Sequence, residues 1–291
     1  MKELISYLNE RIIGNENKVQ LALAAILAGG SILLEDKPGT GKTTFAKLLA
    51  TSLNLNFKRI QFTSDMLPSD INGFTKYIDN QTHFQTGPIF ANIILADEIN
   101  RGNPKCQSAF MEAMEEKSVT IDGVTHALPQ PFFVIATQNP TDQVGTYPLP
   151  ESQLDRFMIS FAMNKLSKEQ EKKILNQKIE LNFKKDLNVL ALDKLIKAIV
   201  CKDIVIDYIQ DLKAKAENLK YECILSTRTL IYTVQISKAL AYLKNQTYVT
   251  LTEVQETFPY ILRHRLKNLD PSIQATDFIQ HEVIDQVPVP K

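Results

Sequence analysis

The sequence lacks any long apolar run. Its longest, Leu21 to Ala28, falls far short of the ~20 residues that a membrane span needs. It is also poor in cysteine: Cys106, Cys201 and Cys223 are odd in number and widely separated, which excludes a disulfide framework and gives no metal-binding spacing. Net charge is missing too, because 33 Lys and Arg residues cancel 33 Asp and Glu residues. A strongly basic nucleic-acid-binding face is therefore not expected, although a local patch stays open. The opening segment carries Lys2, Glu3, Asn9, Glu10 and Arg11 where a secretory leader would be apolar, so the expected location is the cytoplasm. What remains is ordinary for a globular chain: 44% hydrophobic and 23% charged residues, in 291 positions that suffice for about two domains of ~150 residues.

Against that background one stretch stands out, Ser31 to Leu53, which reads as strand, loop and helix in a single run. Ile32, Leu33 and Leu34 suit a buried strand, and Phe45, Leu48, Leu49 and Leu53 recur at the spacing of one helix face. Between them lies Pro38, Gly39, Thr40, Gly41, Lys42, Thr43 and Thr44. Two glycines let successive backbone N–H groups turn toward a phosphate, and the helix beginning near Lys42 adds its positive dipole end. Lys42 would reach the β- and γ-phosphates of ATP, and the Thr43 hydroxyl would sit on Mg²⁺. The phosphate-loop pattern asks for glycine where this chain has Asp36, a residue that tolerates the left-handed backbone region better than most.

Upstream, Leu4, Ile5 and Leu8 mark a short amphipathic helix, and Asn15 is placed to cap a second one whose apolar face is Val19, Ala22, Leu23, Ile26 and Leu27. Between these helices, Ile12, Ile13 and Gly14 either hold the adenine or form a plain turn. Downstream, Lys58 to Phe62 is strand-like. A hairpin is expected over 74–84 with Asp79, Asn80 and Gln81 at its tip, and a second over 119–125 on the Asp122-Gly123 turn. Ile93 to Ala96 reads as a central parallel strand ending in Asp97 and Glu98. Asn103 and Pro104 then open a helix that buries Cys106, and Phe132 to Ala136 forms another buried strand ending in Thr137, Gln138 and Asn139. A short helix at 151–156 and a last strand at 157–161 follow. From Lys165 the pattern is helical only, with capping boxes at Ser167 with Gln170 and at Thr250 with Glu253. The expected architecture is α/β, a doubly wound parallel sheet over residues 1–163, followed by a small all-helical domain over 164–291.

Nucleotide hydrolysis needs a phosphate cradle, a metal, a positioned water and a cation for the charge that builds on the γ-phosphoryl group. Asp97 suits the metal, and Glu98 suits orienting or deprotonating the water. An Asp-Glu pair at a strand end is otherwise a solvated surface feature, and the upstream phosphate loop tips the balance. Asn139 would stand beside Glu98 at the same sheet edge, within reach of the γ-phosphate or the water. Arg156 either faces a neighbouring subunit or makes a surface salt bridge with Asp155 or Glu151. Arg228 either reaches back over the nucleotide from the second domain or is a solvated helix residue.

The order of these motifs resembles the MoxR family of AAA+ ATPases. The resemblance rests on LLEDKPGTGKT, FTSDMLPSDINGF, GPIFANIILADEINR, QSAFMEAMEEKSVTIDG, VIATQNP, GTYPLPESQLDRF, the Ser-Thr-Arg of ILSTRTL, LRHRL and the terminal VPVP. It implies Lys42 and Thr43 as Walker A, Asp97 and Glu98 as Walker B, Asn139 as sensor one, Arg156 as arginine finger and Arg228 as sensor two. Asn15 departs from the glutamine that members often carry after Gly14. The resemblance further implies a helical lid, an insertion around Asp79, homo-hexameric rings with a chaperone-like remodelling activity, and a protein partner carrying a von Willebrand factor A domain. Two other activities fit the same residues: a motor subunit similar to magnesium chelatase or to a nucleic-acid translocase, and a nucleotide-gated scaffold without turnover. The balanced charge disfavours the translocase, and the presence of Glu98 with Arg156 disfavours the scaffold.

Overall fold

The computed structural model describes residues 1–36, 39–139, 144–176, 183, 187–223, 225–270 and 272–290. Two helices, α1 (Lys2–Arg11) and α2 (Glu16–Leu27), lead into β1 (Ser31–Glu35), α3 (Lys42–Ser52), β2 (Phe57–Gln61) and α4 (Pro68–Asn72). Then come the hairpin β3 (Gly73–Ile78) and β4 (Gln81–Thr86), β5 (Ile93–Asp97), α5 (Pro104–Glu116) and the hairpin β6 (Ser118–Ile121) and β7 (Val124–Ala127). The α/β part closes with β8 (Phe133–Gln138), α6 (Glu151–Leu154) and β9 (Phe157–Phe161). Helices follow: α7 (Lys168–Asn176), α8 (Val189–Lys197), α9 (Asp203–Glu217), α10 (Thr227–Leu243), α11 (Leu251–Leu262) and α12 (Ala275–Glu282).

Five strands form one parallel sheet in the order β2-β5-β8-β1-β9. Alternate residues of each strand feed opposite faces, as strand geometry requires. Ile32 and Leu34 join the apolar cluster that contains α2 and α3, whereas Leu33 joins the one that contains Phe110 and Met111 of α5. Burial on both faces is why these strands are continuous apolar runs rather than alternating ones. Nearly all of α2 is buried, beyond the single face its periodicity suggests, because α10 packs on the side away from the sheet through Ile236, Ala239 and Leu240. A third apolar cluster, built on Tyr208, Leu212, Val254 and Phe258, gives the helical part a core of its own.

Three local expectations are corrected. The first hairpin turns on two residues, not three: Ile78 pairs directly with Gln81, and Asp79 and Asn80 both take positive φ, the geometry of a two-residue hairpin turn. Asn15 stands at the head of α2 but its side chain makes no cap bond, since it is used in tertiary contacts described below. The helix after Pro150 ends at Leu154, not Arg156. The second hairpin turns on Asp122 and Gly123 as expected, and the two hairpins meet where His126 stacks on Phe84 with ring centroids 4.0 Å apart.

Candidate active site

The carboxyl edge of the sheet gathers most of the residues singled out from the sequence. Gly39 and Gly41 have φ of 85° and 87°, a region open to glycine at little cost. A Cβ at either would meet nothing within 4 Å, so backbone conformation rather than space demands glycine there. Gly41 heads α3, whose first turn has neither a side-chain cap nor an acidic residue. Its N–H groups and dipole are thus directed to an anion. Lys42 Nζ donates to the Asp36 carbonyl at 3.0 Å, folding the lysine across the loop. Asp36 is not among the residues with positive φ; its N–H continues the β1 ladder to the Gln138 carbonyl at 3.1 Å. Glycine is dispensable at that position because the chain is still extending from the strand. Its carboxylate accepts from the Met163 N–H at 3.2 Å. Thr43 and Thr44 occupy the first turn of α3. Pro38 lies outside the described residues.

Beside the loop is a cavity of about 150 Å³ whose walls include Ile12, Ile13, Thr40, Gly41, Thr44, Met163 and Ile174. Ile13 therefore lines a pocket suited to an adenine next to the phosphates. Gly14 makes the turn as well, with φ of 77° and a Cβ position only 2.9 Å from Leu166 Cδ2. Gly14 is thus a turn residue, while Ile12 and Ile13 before it line the cavity. Asn15 Oδ1 accepts from the Asn164 N–H at 2.8 Å, and Asn164 Nδ2 returns a bond to the Gly14 carbonyl at 2.8 Å. This reciprocal pair ties the pocket wall to the chain leaving β9, and it is why Asn15 does not cap α2.

Asp97 ends β5 and Glu98 follows it. Asp97 is buried and its Oδ1 accepts from the Thr137 hydroxyl at 2.6 Å, while Glu98 takes the left-handed conformation (φ 54°) and its N–H donates to the same Thr137 oxygen at 2.9 Å. One threonine on β8 thus sets both carboxylates. The left-handed turn aims Glu98 away from Asp97, and its Oε2 accepts from Gln61 Nε2 at 3.1 Å and pairs with Arg101 Nε at 3.0 Å. Arg59 closes on Asp97 Oδ2 through Nε at 3.0 Å and NH2 at 2.6 Å. Because β8 lies between β5 and β1, Asn139 leaves the sheet between the carboxylates and the phosphate loop. Among the described residues no group of three or more His, Cys, Asp or Glu could hold a metal alone. Mg²⁺ usually takes one or two protein ligands and completes its shell with phosphate and water. Thr43 and Asp97 are the side chains available to supply the protein share.

Arg59, Gln61 and Thr137 escaped the sequence reading. The signal for them is register: Gln61 pairs with Asp97 across the parallel β2–β5 ladder, so the last residues of β2 face the carboxylates, and Thr137 follows Ala136, which pairs with Ala96 across the β5–β8 ladder.

The two arginines are elsewhere. Arg156 immediately precedes β9, whose first residue pairs with Ser31 at the start of β1, so it lies at the amino edge of the sheet. β1 alone separates that edge from the phosphate loop by about 13 Å. Arg228 is there too: both guanidinium groups pair with Glu115, Arg156 NH2 at 2.8 Å from Oε2 and Arg228 NH2 on Oε1. Arg228 in this chain thus does not reach over its own nucleotide loop, which corrects that expectation, and the salt-bridge partner of Arg156 is Glu115 rather than Asp155 or Glu151. Tyr232 donates its hydroxyl to the Arg156 carbonyl at 3.2 Å, and burial raises the phenol above its ordinary pKa.

A parallel sheet with a glycine-rich loop and helix N-terminus after one strand, and an Asp-Glu pair after another, defines a phosphate-loop nucleoside triphosphatase. Residues 31–159 match the ATPase family associated with various cellular activities (AAA), and residues 213–286 match the AAA lid domain. The chain is 40% identical to YeaC, an uncharacterised protein of Bacillus subtilis, over 98% of this chain and 93% of that protein. It is 35% identical to Chaperone MoxR1 of Mycobacterium tuberculosis over 95% of this chain and 80% of the relative. A crystal structure of a candidate ATPase from Cytophaga hutchinsonii superposes with a TM-score of 0.87 at 35% identity, covering 100% of this chain and 94% of that one. The chain belongs to the MoxR family of AAA+ ATPases. Its α/β phosphate-loop domain and helical lid are those of an ATPase, as the resemblance implied.

Proposed function

We propose that this ATPase works as a Mg²⁺-dependent ring whose hydrolysis sites are completed by neighbouring chains, and that it spends hydrolysis on remodelling a protein partner. The observation that carries the ring is the placement of the phosphate loop, Asp97 and Glu98 at one edge of the sheet and of Arg156 and Arg228 at the other. Head-to-tail contact of two copies would bring one chain's arginines to the other's γ-phosphate, and head-to-tail contacts that close make rings. In this reading Gly39 to Thr44 cradle the phosphates, Ile13 and Gly14 bound the adenine, Thr43 and Asp97 hold Mg²⁺, Glu98 activates water, and Asn139 orients it. Arg156 of the neighbour meets the charge of the transferring phosphoryl group, with Arg228 beside it. Six copies and a partner with a von Willebrand factor A domain are carried over from the family resemblance, a cytoplasmic setting from the sparse cysteines and charged opening segment, and cofactor or metal insertion is the kind of remodelling this reading includes. A protein partner is further supported by the chaperone name of the mycobacterial relative.

Mixing two inactive variants tests the ring. Arg156→Ala should bind ATP normally and lose ~10³-fold or more in rate, and Lys42→Ala should lose ATP binding itself. In an equal mixture of exchanging subunits about a quarter of head-to-tail interfaces pair an intact Lys42 with an intact Arg156. Phosphate release should recover to about that share and should fall on dilution. Silent mixtures whose subunits demonstrably exchange would reject the shared site.

A further inference from the structure

The cluster at the amino edge contains one more residue whose geometry calls for a role. Glu115, in the last turn of α5, gives one carboxylate oxygen to each arginine: Oε2 to Arg156 and Oε1 to Arg228. The side chains remain 34%, 28% and 35% exposed for Glu115, Arg156 and Arg228, around a cavity of about 140 Å³ that Lys117 and Tyr232 also line. The surrounding groups are committed elsewhere. Asp155 is held by Arg265 Nε at 3.1 Å and by the Ser226 hydroxyl at 2.8 Å, and lies 3.6 Å from Arg228 NH1. Lys117 Nζ is turned toward the Phe132 carbonyl at 3.5 Å. Among the described residues, the cavity is thus lined by the cations Arg156, Arg228 and Lys117 with Glu115 as its one carboxylate, beside the buried Arg265 that pairs with Asp155.

We infer that Glu115 is a positioning residue for hydrolysis: it holds Arg156 and Arg228 side by side as one preformed cationic pair for the neighbouring chain's triphosphate. The inference rests on the shared-site reading above. Two long, flexible cations would otherwise splay apart, and ordering them at the moment of reaction would cost rotamer entropy for each. A carboxylate bridging both meets that cost in advance and leaves the remaining guanidinium donors free for phosphate oxygens. Carboxylate chemistry is required. The amide of glutamine offers one acceptor oxygen, and its NH₂ would confront a guanidinium donor with a donor.

Steady-state phosphate release by the assembled full-length chain tests this. Glu115→Gln and Glu115→Ala should lower kcat by about 10²-fold, the scale of an ångström-level misplacement of a catalytic group. KM for ATP should hold within about twofold, since in this reading the pair acts in the transition state and not in ground-state binding. Glu115→Asp, which keeps both oxygens, should restore part of kcat. In the complementing mixture, Glu115→Gln carried by the Lys42→Ala chain, the chain that supplies the arginines, should abolish the recovered activity. An equal loss when only the Arg156→Ala chain carries the substitution would reveal a general structural effect and overturn the proposal. So would an unchanged or raised kcat in both variants, or a loss that tracks failure of the ring to assemble. Complementation that works with neutral Glu115 variants would remove this inference alone, whereas absent complementation would remove the shared site beneath it.

Discussion

Lys18 offers a quantitative check on how the lid docks. It sits in the first turn of α2 with 7% exposure, its Nζ 3.0 Å from the Tyr260 hydroxyl of α11 and 5.8 Å from the Phe161 ring of β9. Burial first, then repulsion from Arg263, lower its pKa from 10.5 to about 8, against a smaller opposing pull from Asp277. At ~1.4 kcal/mol per pKa unit, keeping this ammonium charged costs about 3 kcal/mol below pH 8. Replacing it with methionine removes that cost but strips Tyr260 of a hydrogen bond worth about 1 kcal/mol. Lys18→Met should therefore be more stable than the parent by about 2 kcal/mol at pH 7. The pH dependence has a definite sign. Between pH 8 and 10.5 the unfolded chain carries the Lys18 proton and the folded chain does not, so parental stability rises with pH across that window. The advantage of the variant should accordingly shrink from pH 7 to pH 9.5, in urea unfolding followed by far-ultraviolet circular dichroism. Tyr260 does not confuse the result, because burial pushes its phenol above the ordinary value of 10. A variant less stable than the parent at pH 7, or an advantage that widens with pH, would refute the reasoning.

The other expectations concern the carboxyl edge. Glu98→Gln should bind ATP and assemble but turn over ~10²- to 10⁴-fold more slowly; near-normal phosphate release would take Glu98 out of the chemistry. Arg59→Ala frees Asp97 Oδ2 from two guanidinium donors, and because the arginine end of that pair is half exposed its removal is worth about 1 kcal/mol. The Mg²⁺ concentration for half-maximal ATPase should then fall severalfold, and a higher midpoint would show that Arg59 supports the metal rather than competing with it. Gly41→Ala puts an alanine at φ 87° with open space around its Cβ, so the cost is backbone alone, about 1–2 kcal/mol. A lower Tm and weaker ATP binding are expected, and neither changing would mean that the loop relaxes to negative φ.

What was legible in the sequence is what short-range chemistry decides. Strand, glycine loop and helix occur together in Ser31 to Leu53 because each residue's conformational preference agrees with its neighbours'. The Asp122-Gly123 turn needed no tertiary help either. Errors arose where a side chain had a distant alternative to its local partner. Asn15 stands where a cap belongs, yet its carbonyl oxygen bonds Asn164, 149 positions away. Nothing in a periodicity or a capping rule carries that information. The same is true of Arg59, an unremarkable edge-strand residue until the β2–β5 register puts it on the same face as Gln61 and Asp97, where its guanidinium reaches the Asp97 carboxylate.

The two arginines show where this boundary falls. A residue that immediately precedes a strand of a parallel sheet must lie at the amino edge, and a loop that follows a strand must lie at the carboxyl edge. Arg156 was therefore assignable to the edge opposite the phosphate loop from its place before Phe157. No such rule reaches Arg228, which opens a lid helix and could dock at either edge. Its position is decided by contacts made across the chain: the Ser226 hydroxyl on Asp155, the Tyr232 hydroxyl on the Arg156 carbonyl, and Glu115 between the two guanidinium groups. Those contacts join α10 to the same short segment that carries Arg156, so the two cations are held as a unit. On the shared-site reading, hydrolysis by an isolated chain would require those cations to leave the amino edge and cross the sheet, whereas a second copy approaching head to tail meets the pair as it stands, with Glu115 still bridging it and the remaining guanidinium donors turned to phosphate.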